Sequence, residues 1–316
     1  MRLALAGDTM LGRGVAERLA TGPPTALVAP EVVAVCREAD LLVLNLECCI
    51  SERGRPWPDP AKPFFFRAPP AAVETLSHLG VDCVTLANNH ALDFGEEALL
   101  DTLAHLEAAG IAHVGAGTDR EAARAPVVLE AAGLRLGVLG VSDHPAEFAA
   151  GPGRPGIAHA DLGHEAPAWL DGAVRALATD AVLVTPHWGP NMTPEPVPHV
   201  RRTARALLEA GATLVAGHSA HVFHGVEGPV LYDLGDFLDD YAVDPRLRND
   251  LGLLWFVDLD ERGPRRLEAL PLKLDYCFTR PADGEDAEWV RRRLRQACAE
   301  MGTTVAEEDG RLVVDW

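Results

Sequence analysis

Three histidines, His218, His221 and His224, fall within seven residues in Gly217-His218-Ser219-Ala220-His221-Val222-Phe223-His224, directly behind the apolar run Thr213-Leu214-Val215-Ala216. Imidazole is the commonest side-chain metal ligand and the usual acid or base at neutral pH, so a cluster at a strand exit points to chemistry as readily as to a solvated loop. Its company strengthens the chemical reading. Leu3-Ala4-Leu5-Ala6 runs into Gly7-Asp8, Leu41-Leu42-Val43-Leu44 into Asn45-Leu46-Glu47, and Val84-Thr85-Leu86-Ala87 into Asn88-Asn89-His90. Ala181-Val182-Leu183-Val184-Thr185-Pro186 leads into His187-Trp188-Gly189.

Taken singly, each has an ordinary structural role open to it. Asp8 fits a helix N-cap, Glu47 a surface carboxylate, Asn89 a turn residue and His187 a packed core histidine. Taken together they form a pattern, because short apolar runs bounded by turn residues read as buried strands. In an open α/β sheet, ligands gather beyond the carboxyl ends of such strands. Carboxylate and amide oxygens mixed with imidazole nitrogens, without thiolate, suit one or two divalent ions such as Mn, Fe, Zn or Ni. The chemistry expected of that rim is hydrolysis by metal-activated water.

The elements that must hold these residues alternate along the chain. Helices are expected at about residues 11–20, 70–79, 95–109, 166–178 and 198–210. The third places Leu99, Leu100, Leu103 and Leu106 at helical spacing and stops at Gly110. Further strands are expected at Val127 to Leu129, Leu134 to Val141, Val230 to Leu234, Leu251 to Leu259 and Leu267 to Leu274. The order is α/β, with a strand-rich part from about residue 228, and the 316 residues read as one domain. A proline-rich, aromatic stretch at about 52–70 interrupts the alternation and reads either as a lid or substrate wall, or as a packed surface loop.

Composition excludes several classes. The chain carries 28 Lys and Arg against 47 Asp and Glu, a formal net charge of −19, which would repel nucleic acid. Its one dense basic stretch, Arg291-Arg292-Arg293 with Arg295, stands beside Asp286 and Glu288 and reads as a solvated helix face. The six cysteines show no C-x-x-C pair, as expected of reduced thiols in a cytoplasmic protein. No apolar run approaches the ~18 residues of a membrane span. Gly115-Ala116-Gly117 lacks the third glycine of a dinucleotide fingerprint.

With these residues laid out, the chain resembles the CapA family of poly-gamma-glutamate capsule biosynthesis, a branch of the calcineurin-like metallophosphoesterase superfamily. The resemblance rests on Gly7-Asp8-Thr9-Met10-Leu11-Gly12-Arg13, Asn45-Leu46-Glu47, Phe66-Arg67-Ala68-Pro69-Pro70 and Ala87-Asn88-Asn89-His90-Ala91-Leu92-Asp93-Phe94-Gly95. It continues in Gly115-Ala116-Gly117, His187-Trp188-Gly189, Gly217-His218-Ser219-Ala220-His221-Val222 and Leu234-Gly235-Asp236-Phe237. It implies a four-layer α/β/β/α sandwich of the metallo-dependent phosphatase type, with the metal site at the rim between two sheets.

Carried over residue by residue, the resemblance makes Asp8 a ligand of a first ion and puts Glu47 where the superfamily has its metal-bridging aspartate. Asn89, His187 and His218 become ligands of a second ion, and His221 returns to the first. His90 corresponds to the histidine that protonates a leaving oxygen, and Asp93 to its orienting carboxylate. Asn45, Asn88, Lys62, Arg67 and His224 are the expected substrate contacts. Two departures stand out. Met10 occupies a position where the superfamily usually has a histidine, and the closing histidines are spaced i, i+3 rather than i, i+2. The first ion is thereby left with Asp8, Glu47 and His221, and His224 is a candidate to fill the gap.

The expected activity is metal-dependent hydrolysis of a phosphoester or other anionic substrate, whether small molecule, peptide or polymer. Amide hydrolysis or an assembly role on poly-gamma-glutamate, and metal-independent epimerisation of a peptidyl residue, are the alternatives. A non-catalytic scaffold ranks below them.

Overall fold

A computed structural model describes residues 1–316 and shows why both faces of the central strands are apolar. In the strand Arg2–Thr9, Ala4 and Ala6 pack among the outer helices, whereas Leu3 and Leu5 face a second sheet. In Leu41–Leu46, Leu42 and Leu44 point outward, and Leu41 and Val43 inward. Alternation therefore sorts one strand's side chains into two cores. The second sheet repeats the scheme: Ala181 and Leu183 face the first sheet, Val182 and Val184 the helices beyond.

The first sheet has ten strands, eight of them on a path Ala306–Glu308, Arg311–Asp315, Gly263–Asp275, Leu251–Asp260, Arg2–Thr9, Leu41–Leu46, Cys83–Thr85 and Ala112–Val114. Asp236–Leu238 pairs additionally with Arg2–Thr9, and Phe278–Pro281 with Gly263–Asp275. The second sheet runs Val226–Glu227, Val230–Leu231, Leu214–Ala216, Ala181–His187, Leu134–Ser142, Val127–Ala131. Helices Arg13–Thr21, Pro30–Cys36, Ala72–Leu79 and Gly95–Ala108 cover the outer face of the first sheet; Ala168–Ala176 and Pro198–Ala210 cover the second. The result is the four-layer α/β/β/α sandwich that the resemblance implies. Helix Gly284–Ala299 inserts Val290, Leu294 and Cys298 into the core between the sheets.

The five expected helices are present, with no end shifted by more than two residues and Pro198–Ala210 as expected. Pro30–Cys36 escapes the sequence pattern because its seven residues carry three valines, a strand-like composition, while Pro30 sits at its start. The strand expected at Val230 to Leu234 stops at Leu231. Beyond it Asp233 bends the chain by accepting hydrogen bonds from the Ala220 amide at 2.8 Å and the Gly235 amide at 2.9 Å. Arg291 and Arg295 pair with Glu307, in keeping with a helix face balanced by acids. No helix is long and apolar enough to cross a membrane.

The proline-rich stretch is a largely exposed surface loop pinned at a few points. Arg67–Ala68 pairs in parallel with Cys49–Ile50, Trp57 sets its ring edge-on against Phe148 at 4.8 Å, and the Trp57 amide donates to the Asp93 carbonyl. Gly115 and Gly117 serve close packing rather than a nucleotide: a side chain on Gly115 would meet the Ala87 amide nitrogen at 2.9 Å, and one on Gly117 the Ala123 amide nitrogen at 2.4 Å.

Candidate metal centre

Parallel register brings the strand ends into one row. Asp8 lies opposite Asn45 on one side and Asp236 on the other, and the second sheet contributes His187 bridged to His218. The approach of Asp236 depends on Gly7, where a Cβ would sit 1.8 Å from the Gly235 carbonyl oxygen. That carbonyl accepts the Asp8 amide at 2.9 Å. The glycine thus lets two backbones close to hydrogen-bonding distance.

Asp8, Glu47, His221 and Asp236 are all buried, and one donor atom from each falls within 4.8 Å of the others. His221 Nδ1 lies 2.8 Å from Asp236 Oδ1, 3.2 Å from Asp8 Oδ2 and 3.9 Å from Glu47 Oε2. His218 Nδ1 lies 3.2 Å from Asp8 Oδ1, and its Nε2 is 3.0 Å from Thr185 Oγ1. Asp8 Oδ2, Glu47 Oε1, Asp236 Oδ2, Asn89 Oδ1, His187 Nδ1 and His218 Nδ1 are buried without a hydrogen-bond partner. Each such atom costs about 1–3 kcal/mol unless something satisfies it, and this oxygen and nitrogen set fits a divalent cation.

The electrostatics agree. Burial, reinforced by the charge of Asp8, pushes Glu47 well above the usual carboxylate range. Burial does the same to Asp236 and lifts Asp239 to about 6. Burial opposes charge on Asp8 as well, yet the His218 and His221 imidazoles 3.2 Å from its oxygens carry it well below its ordinary value. Burial, with His144 nearby, holds His187 neutral. Burial opposes charge on His221, yet Asp236, Glu47 and Asp8 beside it raise it well above its ordinary value, so the pocket favours positive charge, which a cation could supply.

Met10 leaves no gap in this set. Its side chain is fully buried among the outer helices, with Sδ accepting the Gly12 amide at 2.9 Å, and Asp236 provides the additional donor. His224 does not join the group; it donates from Nε2 to the Thr193 carbonyl at 2.8 Å.

Beside the cluster, His90 donates from Nδ1 to Asp93 Oδ2 at 2.6 Å, and its ring stacks on Phe66 at 3.9 Å. Asp93 is held further by the Phe66 amide at 2.6 Å and by Lys62 Nζ, 2.9 Å from Oδ1. Burial outweighs the pull of Asp93 and lowers His90 to about 4.

The expected substrate contacts fall elsewhere. Lys62 is consumed by Asp93 and the Asn89 carbonyl. Asn45 and Asn88 are wholly buried and form a relay beneath the site, Asn45 donating to Asp8, Asn88 donating to Asn45, and Asn88 accepting the His90 amide. Arg67 lies 4.2 Å over the Phe94 ring and donates to the Arg53 carbonyl. The cavity that opens over the centre, about 500 Å³, is lined instead by His90, His221, Phe66, Tyr241, Met192 and Arg13, among others. Tyr241 donates to Glu47 Oε2 at 3.2 Å. Asp236 lies in the Leu234-Gly235-Asp236-Phe237 motif that carried the resemblance but was not among the expected donors, and Tyr241 carried no comparable signal.

The profile of the bacterial capsule synthesis protein family PGA_cap matches residues 2–241, which include every residue of the cluster. The chain is 32% identical over 294 residues to a probable polyglutamine synthesis accessory protein of Mycobacterium tuberculosis, covering 87% of this chain and 76% of that protein. It is 27% identical over 315 residues to the PGA biosynthesis protein CapA of Bacillus subtilis, covering 98% and 80%. A solved structure of a hypothetical protein from Thermus thermophilus shares the fold, with a TM-score of 0.51 at 17% identity over 87% of this chain and 100% of that one. Sequence and residue pattern together place the chain in the bacterial capsule synthesis (PGA_cap) family, to which it belongs.

Proposed function

We propose that the protein is a metal-dependent hydrolase that cleaves a phosphoester or another anionic substrate. The observation that carries this reading is the buried group Asp8, Glu47, His221 and Asp236, whose three carboxylates each keep an unpartnered oxygen, next to the His90 and Asp93 pair. Asp8, Glu47, His221 and Asp236 would hold one divalent ion, and Asn89, His187 and His218 a second; such ions, when bound, supply Lewis acidity and a water of near-neutral pKa.

The remaining work falls to the chain's own groups. Asp93, fixed by Lys62 and the Phe66 amide, holds the His90 Nδ1 proton and so leaves Nε2 as the atom that exchanges a proton with the leaving oxygen. Stacking on Phe66 keeps that imidazole in one orientation. Tyr241 steadies Glu47 through its hydroxyl. The buried amides of Asn45 and Asn88 tie Asp8 to the His90 backbone, so the two halves of the site keep their spacing.

The names of the relatives, a PGA biosynthesis protein and a polyglutamine synthesis accessory protein, support a second reading in which the bond attacked is an amide of a glutamyl polymer. Six free, buried cysteines support a reducing, cytoplasmic setting. The deciding experiment is elemental analysis of protein purified without chelators, followed by assays with an aryl phosphate and with poly-gamma-glutamate after Mn or Fe loading. Bound metal with turnover of the aryl phosphate supports the first reading, and new glutamyl end groups support the second. Activity that survives chelator and carries deuterium into an α-carbon rejects both in favour of epimerisation.

A further inference from the structure

We propose that Arg13 anchors an oxyanion of the substrate, a carboxylate or a phosphate, remote from the bond that breaks. This deepens the hydrolase reading and rests on it. Arg13 is the one Lys or Arg lining the cavity over the metal centre. Its guanidinium carbon lies 4.8 Å from the centre of the Phe66 ring, 5.4 Å from Phe64 and 5.5 Å from Tyr241, so aromatic rings surround the cation. Phe66 stacks on His90, and Tyr241 touches both Glu47 and the His221 ring. Arg13 therefore stands one ring away from each half of the proposed catalytic apparatus.

The guanidinium is held but not saturated. Asp240, whose side chain is only 5% exposed, accepts from Nε at 3.0 Å and from Nη2, and also takes the Gly14 amide at 2.8 Å. Nη1 has no hydrogen-bond partner in the protein. A planar cation fixed along one edge, with the other edge unspent, is pre-organised to receive an oxyanion. The backbone is committed to this placement: Arg13 adopts φ +46°, and two further wall residues, Met192 and His221, adopt φ +55° and +59°. Non-glycine residues in the left-handed region persist where the surroundings over-determine them, as at ligand sites.

The mouth of the cavity fits a chain rather than a small ion. Phe64 lines it with 54% of its surface exposed, Val243 follows the lining residue Ala242 with 53% exposed, and Tyr276, 63% exposed, stands beside Gly14 and Asp240. These are three of the five exposed large hydrophobic residues in the molecule. An apolar lip with one cation behind it accommodates the end of an extended anionic substrate, whose body lies over the aromatic side chains.

The test is calorimetric titration of Mn-loaded protein, its metal content verified by elemental analysis, with γ-glutamylglutamate and separately with inorganic phosphate. It compares wild type, Arg13→Lys, which retains a cation for Asp240 but lacks the guanidinium fork, and the surface control Arg205→Ala. A tenfold or greater loss of γ-glutamylglutamate affinity in Arg13→Lys alone, with phosphate unaffected, supports a carboxylate at Arg13. An equal loss for phosphate supports a phosphate there. Binding of both probes to Arg13→Lys as tightly as to wild type overturns the proposal, as does failure of wild type to bind either probe. Metal-replete protein in those two cases leaves the metal centre standing while the anchor falls.

Discussion

Asp236 lies directly opposite Asp8 in parallel register, and the two carboxylates approach the same His221 Nδ1, at 2.8 and 3.2 Å. Residues more than two hundred positions apart thus become next-door donors in one cluster. Asp236→Asn is therefore expected to weaken binding of the first ion by about tenfold or more while leaving the fold intact. Metal competition titration checks this; unchanged affinity would remove Asp236 from the ligand set.

The cluster keeps three carboxylates, Asp8, Glu47 and Asp236, buried with an unpartnered oxygen each. Any ligand that binds only the folded state stabilises it, by about 2.7 kcal/mol at a concentration a hundred times its Kd. Chelator should lower the unfolding midpoint, and Mn in excess should restore it. In Asp8→Asn the Mn-induced rise should shrink.

His90 donates to Asp93 through Nδ1, leaving Nε2 for the leaving group. Loss of a general acid costs about 10²–10⁴ in rate when the departing oxygen needs a proton. His90→Asn should therefore depress turnover of alkyl phosphates by that order and turnover of nitrophenyl phosphate far less. A uniform loss across leaving groups would show that His90 acts by another route.

Gly7 has the Gly235 carbonyl oxygen 1.8 Å from where a Cβ would stand. The contact is with backbone, which cannot rotate away. Gly7→Ala should destabilise the protein by about 1–3 kcal/mol or more and reduce its metal content together, since the same strand carries Asp8. Denaturant midpoints measured beside elemental analysis would reveal both losses.

Away from the site, burial raises the pKa of Glu268, but hydrogen bonds from Arg2, Arg266 and Arg311 overcome it and bring the carboxyl to about 2 from an ordinary 4.5. A carboxylate depressed in the folded state adds stability above its unfolded pKa and loses it as pH falls through the folded one. Glu268→Gln should be less stable than wild type at neutral pH, and the gap should close between about pH 4.5 and 2. Urea unfolding across that range measures it; a gap independent of pH would assign the loss to packing.

Much of the architecture was legible in order and type. Apolar runs such as Leu3 to Ala6 and Leu41 to Leu44 announce strands buried on both faces, and their polar ends announce a rim, because period-two alternation and turn chemistry are local properties. Local pattern could name Asp8, Glu47, His218 and His221 as donors. It also misdirected: Lys62, Asn45 and Asn88 are the right types near the right motifs, yet their hydrogen-bonding capacity is spent on Asp93 and on the buried relay, while Arg67 lies over Phe94 and outside the cavity lining. Whether a polar group has capacity left is a property of its neighbours, which the chain order does not state.

The sequence by itself determined the α/β alternation, the two-faced strands and the mixed oxygen and nitrogen character of the rim, all of which follow from side-chain type and spacing. Only the tertiary structure decided that Met10 turns into the core while Asp236 enters the cluster, that His224 is spent on Thr193, and that Arg13 rather than Lys62 or Arg67 lines the cavity. Those outcomes depend on inter-strand register and on which partners satisfy each buried donor and acceptor. Both are set by long-range packing, in which a shift of one residue exchanges the two faces of a strand.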